Sequence, residues 1–246
     1  MRAVLLAAGI GTRLRPLTNT IPKCLVPIGG KPLLSIWLDL LFRDNAIERA
    51  LVNTHYLAER VVEHVGRSRW ADRIDLVYEA ELLGTGGTLL KNRDWIGRTS
   101  TLVAHADNLT VFDLQAFMET HARRPAGCLL TMMTFDTDHP QSCGIVEEEG
   151  GVVVRFHEKV ANPPGNRANA AVYIIEPEVV DFIASIGSAF VDVSTQVLPA
   201  FLGKIAVYHN DRYHRDIGTP ESLVIAEQEF GRSLDFFAAA QPREPK

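Results

Sequence analysis

The sequence predicts a three-layer α/β/α domain with a mostly parallel, mixed central sheet. Three observations carry that prediction. Short apolar runs recur along the first half: AVLLAA (3–8), ALVNT (50–54), IDLVYE (74–79), TLVAHAD (101–107) and CLLTMMT (128–134). Stretches of helical periodicity separate or follow them, from Leu33 to Phe42, Leu57 to Val65, Thr88 to Asp94 and Asp113 to His121. Strands alternating with helices imply a parallel sheet covered on both faces. The second half then changes character, which makes the sheet mixed. CGIVEEEGGVVVRFHEK reads as a hairpin turning through Glu149-Gly150-Gly151. ANAAVYIIEPEVVDFIA reads as a strand followed by a helix starting near Pro177.

With 246 residues and 46% hydrophobic content, the chain is long enough to bury a substantial core. No linker, repeat or low-complexity segment divides it, so residues 1–246 are expected to form a single domain. Within it, a part spanning about 1–112 would hold one ligand and a part spanning about 113–230 would close over it. Only the final residues, AAAQPREPK, read as frayed. The net charge of −5 argues against nucleic acid as the main partner, since duplex binding favours a basic surface. No apolar run reaches the ~20 residues of a membrane span, and the first run is too short for a signal-peptide core. The expectation is a cytoplasmic protein with no membrane partner. Cys24, Cys128 and Cys143 are odd in number and far apart, which argues against a disulfide framework or a structural zinc site.

The most informative stretch is LLAAGIGTRLRPLTNTIPKCLVPIGGKP, from Leu5 to Pro32. A strand leads into Gly9-x-Gly11-Thr12-Arg13, and glycines let backbone amides approach a ligand to form a concave anion site. The third glycine of a dinucleotide loop is missing, with Leu14 in its place. No Gly-Lys-Ser/Thr follows, so a Walker-type loop is excluded. Arg13 and Arg15 add forked cations and Lys23, held next to Pro22, adds a point charge. Bare backbone, fixed positive charge and a held lysine together suit a triphosphate.

This stretch resembles the signature of the sugar-1-phosphate nucleotidylyltransferases. The resemblance continues through LLGTGG (82–87), AHADN (104–108), FHEK (156–159), NAAVYI (169–174) and DIGTPES (216–222), six ordered motifs covering almost the whole chain. It implies a Rossmann-like nucleotidyltransferase fold. It also implies an Mg²⁺-dependent transfer of a nucleoside monophosphate to a sugar 1-phosphate, with release of pyrophosphate. Asp107 and Asp216 would hold the metal, and Arg13, Lys23 and Lys159 would organise the reacting phosphates as the catalytic cations. Leu6, Ala7, Ala8, Gly9, Gly11, Thr12, Arg13, Asn53, Glu79, Gly84, Thr85 and Asp107 are the expected nucleotide-binding residues. Gly144, Glu158, Lys159, Asn169 and Asp216 are the expected sugar-phosphate residues. Two departures stand out: Val160 replaces the proline that usually follows Glu-Lys, and Ala171 replaces the glycine two residues after Asn169.

Glu79 occupies the base-reading segment, where thymidylyl- and uridylyltransferases tend to present glutamine. A carboxylate only accepts hydrogen bonds. Guanine offers it adjacent N1–H and N2–H donors, whereas uracil and thymine flank one N–H with repelling carbonyls. Discrimination of this kind can reach ~10⁴-fold. GTP is therefore the expected donor. The short motifs also resemble guanylyltransferases acting on D-glycero-D-manno-heptose 1-phosphate or mannose 1-phosphate, in which case capsule or lipopolysaccharide synthesis is the associated pathway. The alternatives are a UTP- or dTTP-dependent hexose-1-phosphate enzyme and a non-catalytic domain that senses nucleotide-sugars. An NAD(P) oxidoreductase is disfavoured because the second strand ends at Asn53-Thr54-His55, without an acidic ribose ligand. The sequence leaves the sugar and the oligomeric state open, a homodimer included.

Overall fold

The computed structural model describes residues 1–232. The tail AAAQPREPK, expected to fray, lies outside the described residues. The chain opens with β1 (Arg2–Leu6), a loop of three short 3-10 turns, and a ribbon of β2 (Pro27–Ile28) and β3 (Lys31–Pro32). It continues through α1 (Leu33–Phe42), β4 (Ala50–Thr54), α2 (Ala58–Gly66), β5 (Ile74–Tyr78), α3 (Gly84–Lys91) and α4 (Arg93–Ile96). Next come β6 (Thr101–His105), β7 (Asn108–Val111), α5 (Leu114–Ala122), β8 (Leu130–Asp136), β9 (Gly144–Glu149) and β10 (Val152–Glu158). The second half ends with β11 (Arg167–Ile175), α6 (Pro177–Ser185), β12 (Ile205–His209), β13 (Tyr213–Asp216) and α7 (Pro220–Arg232).

Nine strands form one sheet in the order β5-β4-β1-β6-β11-β8-β12-β10-β9. β4 and β6 flank β1 in parallel, β5 extends them, and β12 runs parallel to β8. β11 is antiparallel to both β6 and β8, and β10 is antiparallel to β12 and β9, so seven strands share one direction and two oppose it. The predicted mixed, mostly parallel sheet is observed, and it runs without a break through both halves of the chain. Side chains alternate across it. Leu5 joins Trp37, Phe42 and Phe117 in a core beneath α1, α2, α5 and α7. Val4 and Leu6 join Leu89, Ile183 and Phe201 beneath α3 and α6 on the other face. α1 buries eight of its ten residues, as a helix apolar on nearly every side must. Among the described residues no helix is long and apolar enough to cross a membrane.

Two details position the ligand site. β13 and β7 form a separate antiparallel pair in which Asp216 lies opposite Asn108. This brings the end of β13 beside the turn that carries Asp107. The other detail is a register shift in β11 between Asn169 and Tyr173, with Ala171 at φ 54°. There the Ala171 N–H donates to Asn169 Oδ1 at 2.9 Å and orients that side chain. A left-handed conformation costs a residue with a Cβ on the order of 1 kcal/mol. Ala171→Gly is therefore expected to raise the melting temperature by ~2–4 °C in a thermal unfolding scan. A lower melting temperature would mean that the packing of the lost methyl outweighs the strain.

Candidate active site

Lys23 stands at the centre of the site, 6% exposed, in a 3-10 turn that starts after Pro22. Its Nζ donates to Asp107 Oδ2 at 2.9 Å and to Asp216 Oδ1 at 3.2 Å. The two carboxylates, which are 109 residues apart in the chain, thus converge on one cation. Arg13 Nη2 lies 3.6 Å from the other oxygen of Asp216, and its side chain is largely exposed. Gly11 lets the loop fold tightly enough for this. It adopts φ 68°, and an added Cβ would sit 3.0 Å from Thr18 Cγ2 and 3.1 Å from Lys23 Cβ. Thr18 Oγ1 donates to the Gly11 carbonyl at 2.7 Å and closes the loop, while Thr12 opens the turn that carries Arg13.

Burial alone would push the Asp107 carboxyl up, but the charge of Lys23, the nearby His105 and the hydrogen bond from Lys23 hold it below its usual range. Burial would likewise lower the Lys23 ammonium, yet Asp107 and Asp216 keep its pKa above the ordinary value. The lowered Asp107 contributes stability that is present above its unfolded pKa of about 3.9 and lost as pH falls through the folded value. The raised Lys23 contributes stability that is present below about 10.4 and lost only as pH rises through its folded value. Neither transition falls between about pH 7 and about pH 9. The gap in melting temperature between wild type and Asp107→Asn should stay constant across that interval. A gap that closes within it would contradict the ion pair.

Beside this cluster opens a cavity of about 260 Å³. Leu6, Ala8 and Gly9 line it from the end of β1 and Asn53 from β4. Glu79, Gly84, Thr85 and Asp107 complete the expected set found there. Ala7 acts one step back, its N–H donating to Asn53 Oδ1 at 2.7 Å. Glu79 is 1% exposed. Its Oε1 accepts from Thr88 Oγ1 at 2.7 Å and from Asn53 Nδ2 at 3.1 Å. Glu79 borders the cavity, and its second carboxylate oxygen accepts no hydrogen bond from the described residues. The close approach that Gly84 permits is to the carbonyl of Val191: at φ 73°, an added Cβ would lie 2.5 Å from that oxygen. Thr85 Oγ1 accepts from Val193 N at 2.7 Å, so its hydroxyl ties α3 to the 191–193 segment.

The expected sugar-phosphate residues gather at the same end of the sheet. Val172 pairs with Ala104, so continuing β11 backwards brings Asn169 towards the level of Asp107. Ala168 and His157 both pair with Ile145, which sets Gly144 and Glu158 next to Asn169. Asn169 Nδ2 donates to Tyr173 Oη at 2.7 Å. A Cβ on Gly144 would fall 2.6 Å from Glu158 Oε2, so glycine leaves room for that carboxylate. Lys159 Nζ lies 3.5 Å from Glu158 Oε1 with its side chain mostly in solvent.

Four residues of the cavity were not anticipated from the sequence: Leu82, Thr88, His105 and Phe190. Leu82 and His105 lie within the quoted motifs LLGTGG and AHADN and could have been found there, whereas Thr88 lies one residue beyond the first. Phe190 reaches the cavity only through the long-range contact with α3. A larger groove of about 970 Å³ runs along α2 and the sheet edge at β5, but it contains none of the carboxylate–lysine cluster.

The donor set fits a hard divalent cation. Two carboxylates meet at a point held by an ammonium, and Mg²⁺ prefers oxygen ligands. Among the described residues no three His, Cys, Asp or Glu side chains cluster as a metal cage. An ion here would complete its shell with phosphate oxygens and water, as Mg²⁺ usually does.

The chain is similar to known proteins along most of its length. A mannose-1-phosphate guanylyltransferase of Mycobacterium tuberculosis is 32% identical over 237 residues, covering 94% of this chain and 65% of that protein. A UTP–glucose-1-phosphate uridylyltransferase of Synechocystis is 32% identical over 200 residues, covering 75% of this chain and 51% of that one. The chain thus spans less than two thirds of either relative. The crystal structure of HddC from Yersinia pseudotuberculosis complexed with GMP-PN superposes with a TM-score of 0.77 at 26% identity, covering 93% of this chain and 99% of that one. The nucleotidyl transferase family model matches residues 2–232, and the chain belongs to that family.

Proposed function

We propose that the chain is an Mg²⁺-dependent sugar-1-phosphate guanylyltransferase that joins GTP to mannose 1-phosphate or D-glycero-D-manno-heptose 1-phosphate in the cytoplasm. The observation that carries the transfer chemistry is the meeting of Asp107 and Asp216 on Lys23 beside the cavity. The free oxygen of Glu79 supports guanine, as do the mannose-1-phosphate guanylyltransferase relative and the GMP-PN bound to HddC. The uridylyltransferase relative, at equal identity, keeps UTP as the second reading.

The reaction needs positioning and charge more than proton transfer. An oxygen of the sugar phosphate forms a bond to the α-phosphorus of GTP. The bond from that phosphorus to the bridging oxygen breaks, and pyrophosphate leaves with the electron pair. The nucleophile is already ionised near neutral pH, so no general base is required. Two like unit charges ~4 Å apart at an effective dielectric of ~20 repel by about 4 kcal/mol. Lys23 sets positive charge where the phosphates meet, and exposed Arg13 can turn onto the departing β,γ-phosphates. Lys159 reaches the sugar phosphate, while Glu158 and Asn169 accept or donate to sugar hydroxyls. Asp107 and Asp216 would hold Mg²⁺, which when bound would supply electrophilic stabilisation of the phosphoryl oxygens.

Pyrophosphate release over GTP, UTP, dTTP, CTP and ATP, each with a panel of sugar 1-phosphates, tests the proposal. GTP with the mannose or heptose 1-phosphate should be fastest, and chelation of divalent ions should abolish turnover. Fastest use of UTP or dTTP would overturn the base assignment. Nucleotide-sugar binding without any pyrophosphate release would favour a sensing domain.

A further inference from the structure

Phe190 is 57% exposed, although it borders the cavity that Glu79 also lines. Ligand cavities are lined mainly by apolar and aromatic side chains with a few placed polar groups, so an exposed aromatic bordering one is open to a ligand. Its backbone is held firmly. Val191 N donates to the Leu83 carbonyl at 3.0 Å and Gly86 N to the Val191 carbonyl at 2.8 Å. Ser188 Oγ donates to the carbonyl of Phe190 itself at 2.8 Å. The ring approaches Gly84, its Cε2 3.2 Å from where a Cβ on that glycine would stand. Leu82, 40% exposed, borders the same cavity. A held backbone thus keeps an exposed aromatic ring at the border of the cavity that Glu79 also lines.

Resting on the proposed nucleotide chemistry, we infer that Phe190 is a preformed stacking platform for the nucleobase. The base lies against the ring while its N–H edge meets Glu79, with Leu82 as an apolar neighbour. Face and edge are read by different residues: Phe190 supplies affinity for a flat heterocycle and Glu79 chooses among heterocycles. Aromatic–base stacking tolerates any base but grows with ring area, so a purine gains more than a pyrimidine.

Equilibrium titration of the full chain with Mg²⁺–GTP and, separately, with inorganic tripolyphosphate tests this. Phe190→Ala should weaken GTP binding by roughly 5- to 150-fold, the range for truncating a stacked aromatic. It should leave tripolyphosphate binding within about twofold, because that ligand has no base. Phe190→Trp should retain GTP affinity, and the added indole emission should be quenched as GTP binds. If Phe190→Ala binds GTP within twofold of wild type, or Phe190→Leu binds as tightly as wild type, planar stacking is overturned while the nucleotide reading stands. If wild type binds neither GTP nor any other nucleoside triphosphate, both fall together.

Discussion

Asp107→Asn should fold, melt within a few degrees of wild type, and turn over about 10³-fold more slowly. The substitution keeps the shape of the side chain, and its amide oxygen can still accept from Lys23, so little packing changes. What it removes is one of two negative charges aimed at a shared cation. Metal stabilisation of phosphoryl transfer supplies several kcal/mol, and each ~1.4 kcal/mol is tenfold in rate. Asp216→Asn should behave similarly. The double variant should be little worse than either single one, because in the proposed site both carboxylates would serve one ion and such losses are not additive. Single-turnover pyrophosphate release with circular dichroism as the folding control makes the comparison. Turnover within tenfold of wild type in Asp107→Asn would remove Asp107 from the metal.

Glu79→Gln should lower the preference for GTP over UTP, measured as the ratio of kcat/KM values, by at least roughly 10²-fold. Asn53 and Thr88 both donate to Oε1 of Glu79. A glutamine in the same place would give its carbonyl to those donors and turn its NH₂ into the cavity. That group repels the N1–H and N2–H edge of guanine and suits the carbonyls of uracil. The fold should be unaffected, because the buried hydrogen bonds survive. An unchanged ratio would show that the base is read elsewhere.

The local features of the fold were legible in the sequence. α1 spans Leu33–Phe42, the limits its apolar periodicity predicts. Asp113 caps α5 through a hydrogen bond from the Ala116 N–H at 3.0 Å, and Thr219 Oγ1 accepts from Ser222 N at the start of α7. The hairpin turns at Gly150-Gly151, as expected. Errors appear where distant contacts override local preference. The predicted helix from Thr88 to Asp94 is two helices, Gly84–Lys91 and Arg93–Ile96. The first begins earlier because Gly86 and Gly87 donate to the Val191 carbonyl, a partner more than a hundred residues away. The strand expected to end at Asp107 stops at His105, leaving Asp107 in the turn before β7. Asp216 closes β13.

The candidate site follows the same rule. Its residue types were evident from short motifs: glycines, a held lysine and separated carboxylates. Their meeting was not, since the β7–β13 pair joins four-residue segments with no strong pattern of their own. The left-handed Ala171 shows the sequence departing from the usual glycine while the backbone keeps the conformation a glycine favours. Thr88 illustrates another limit. A threonine within a helix does not announce that its hydroxyl will hold a buried carboxylate.

The most direct test is to locate Mn²⁺, standing in for Mg²⁺, by anomalous diffraction from crystals grown with a non-hydrolysable GTP analogue. The account predicts one ion coordinated at ~2.1 Å by a carboxylate oxygen from each of Asp107 and Asp216, together with oxygens of the analogue's phosphates. An ion bound away from either aspartate, or a nucleotide seated outside the cavity that contains Glu79, would contradict it.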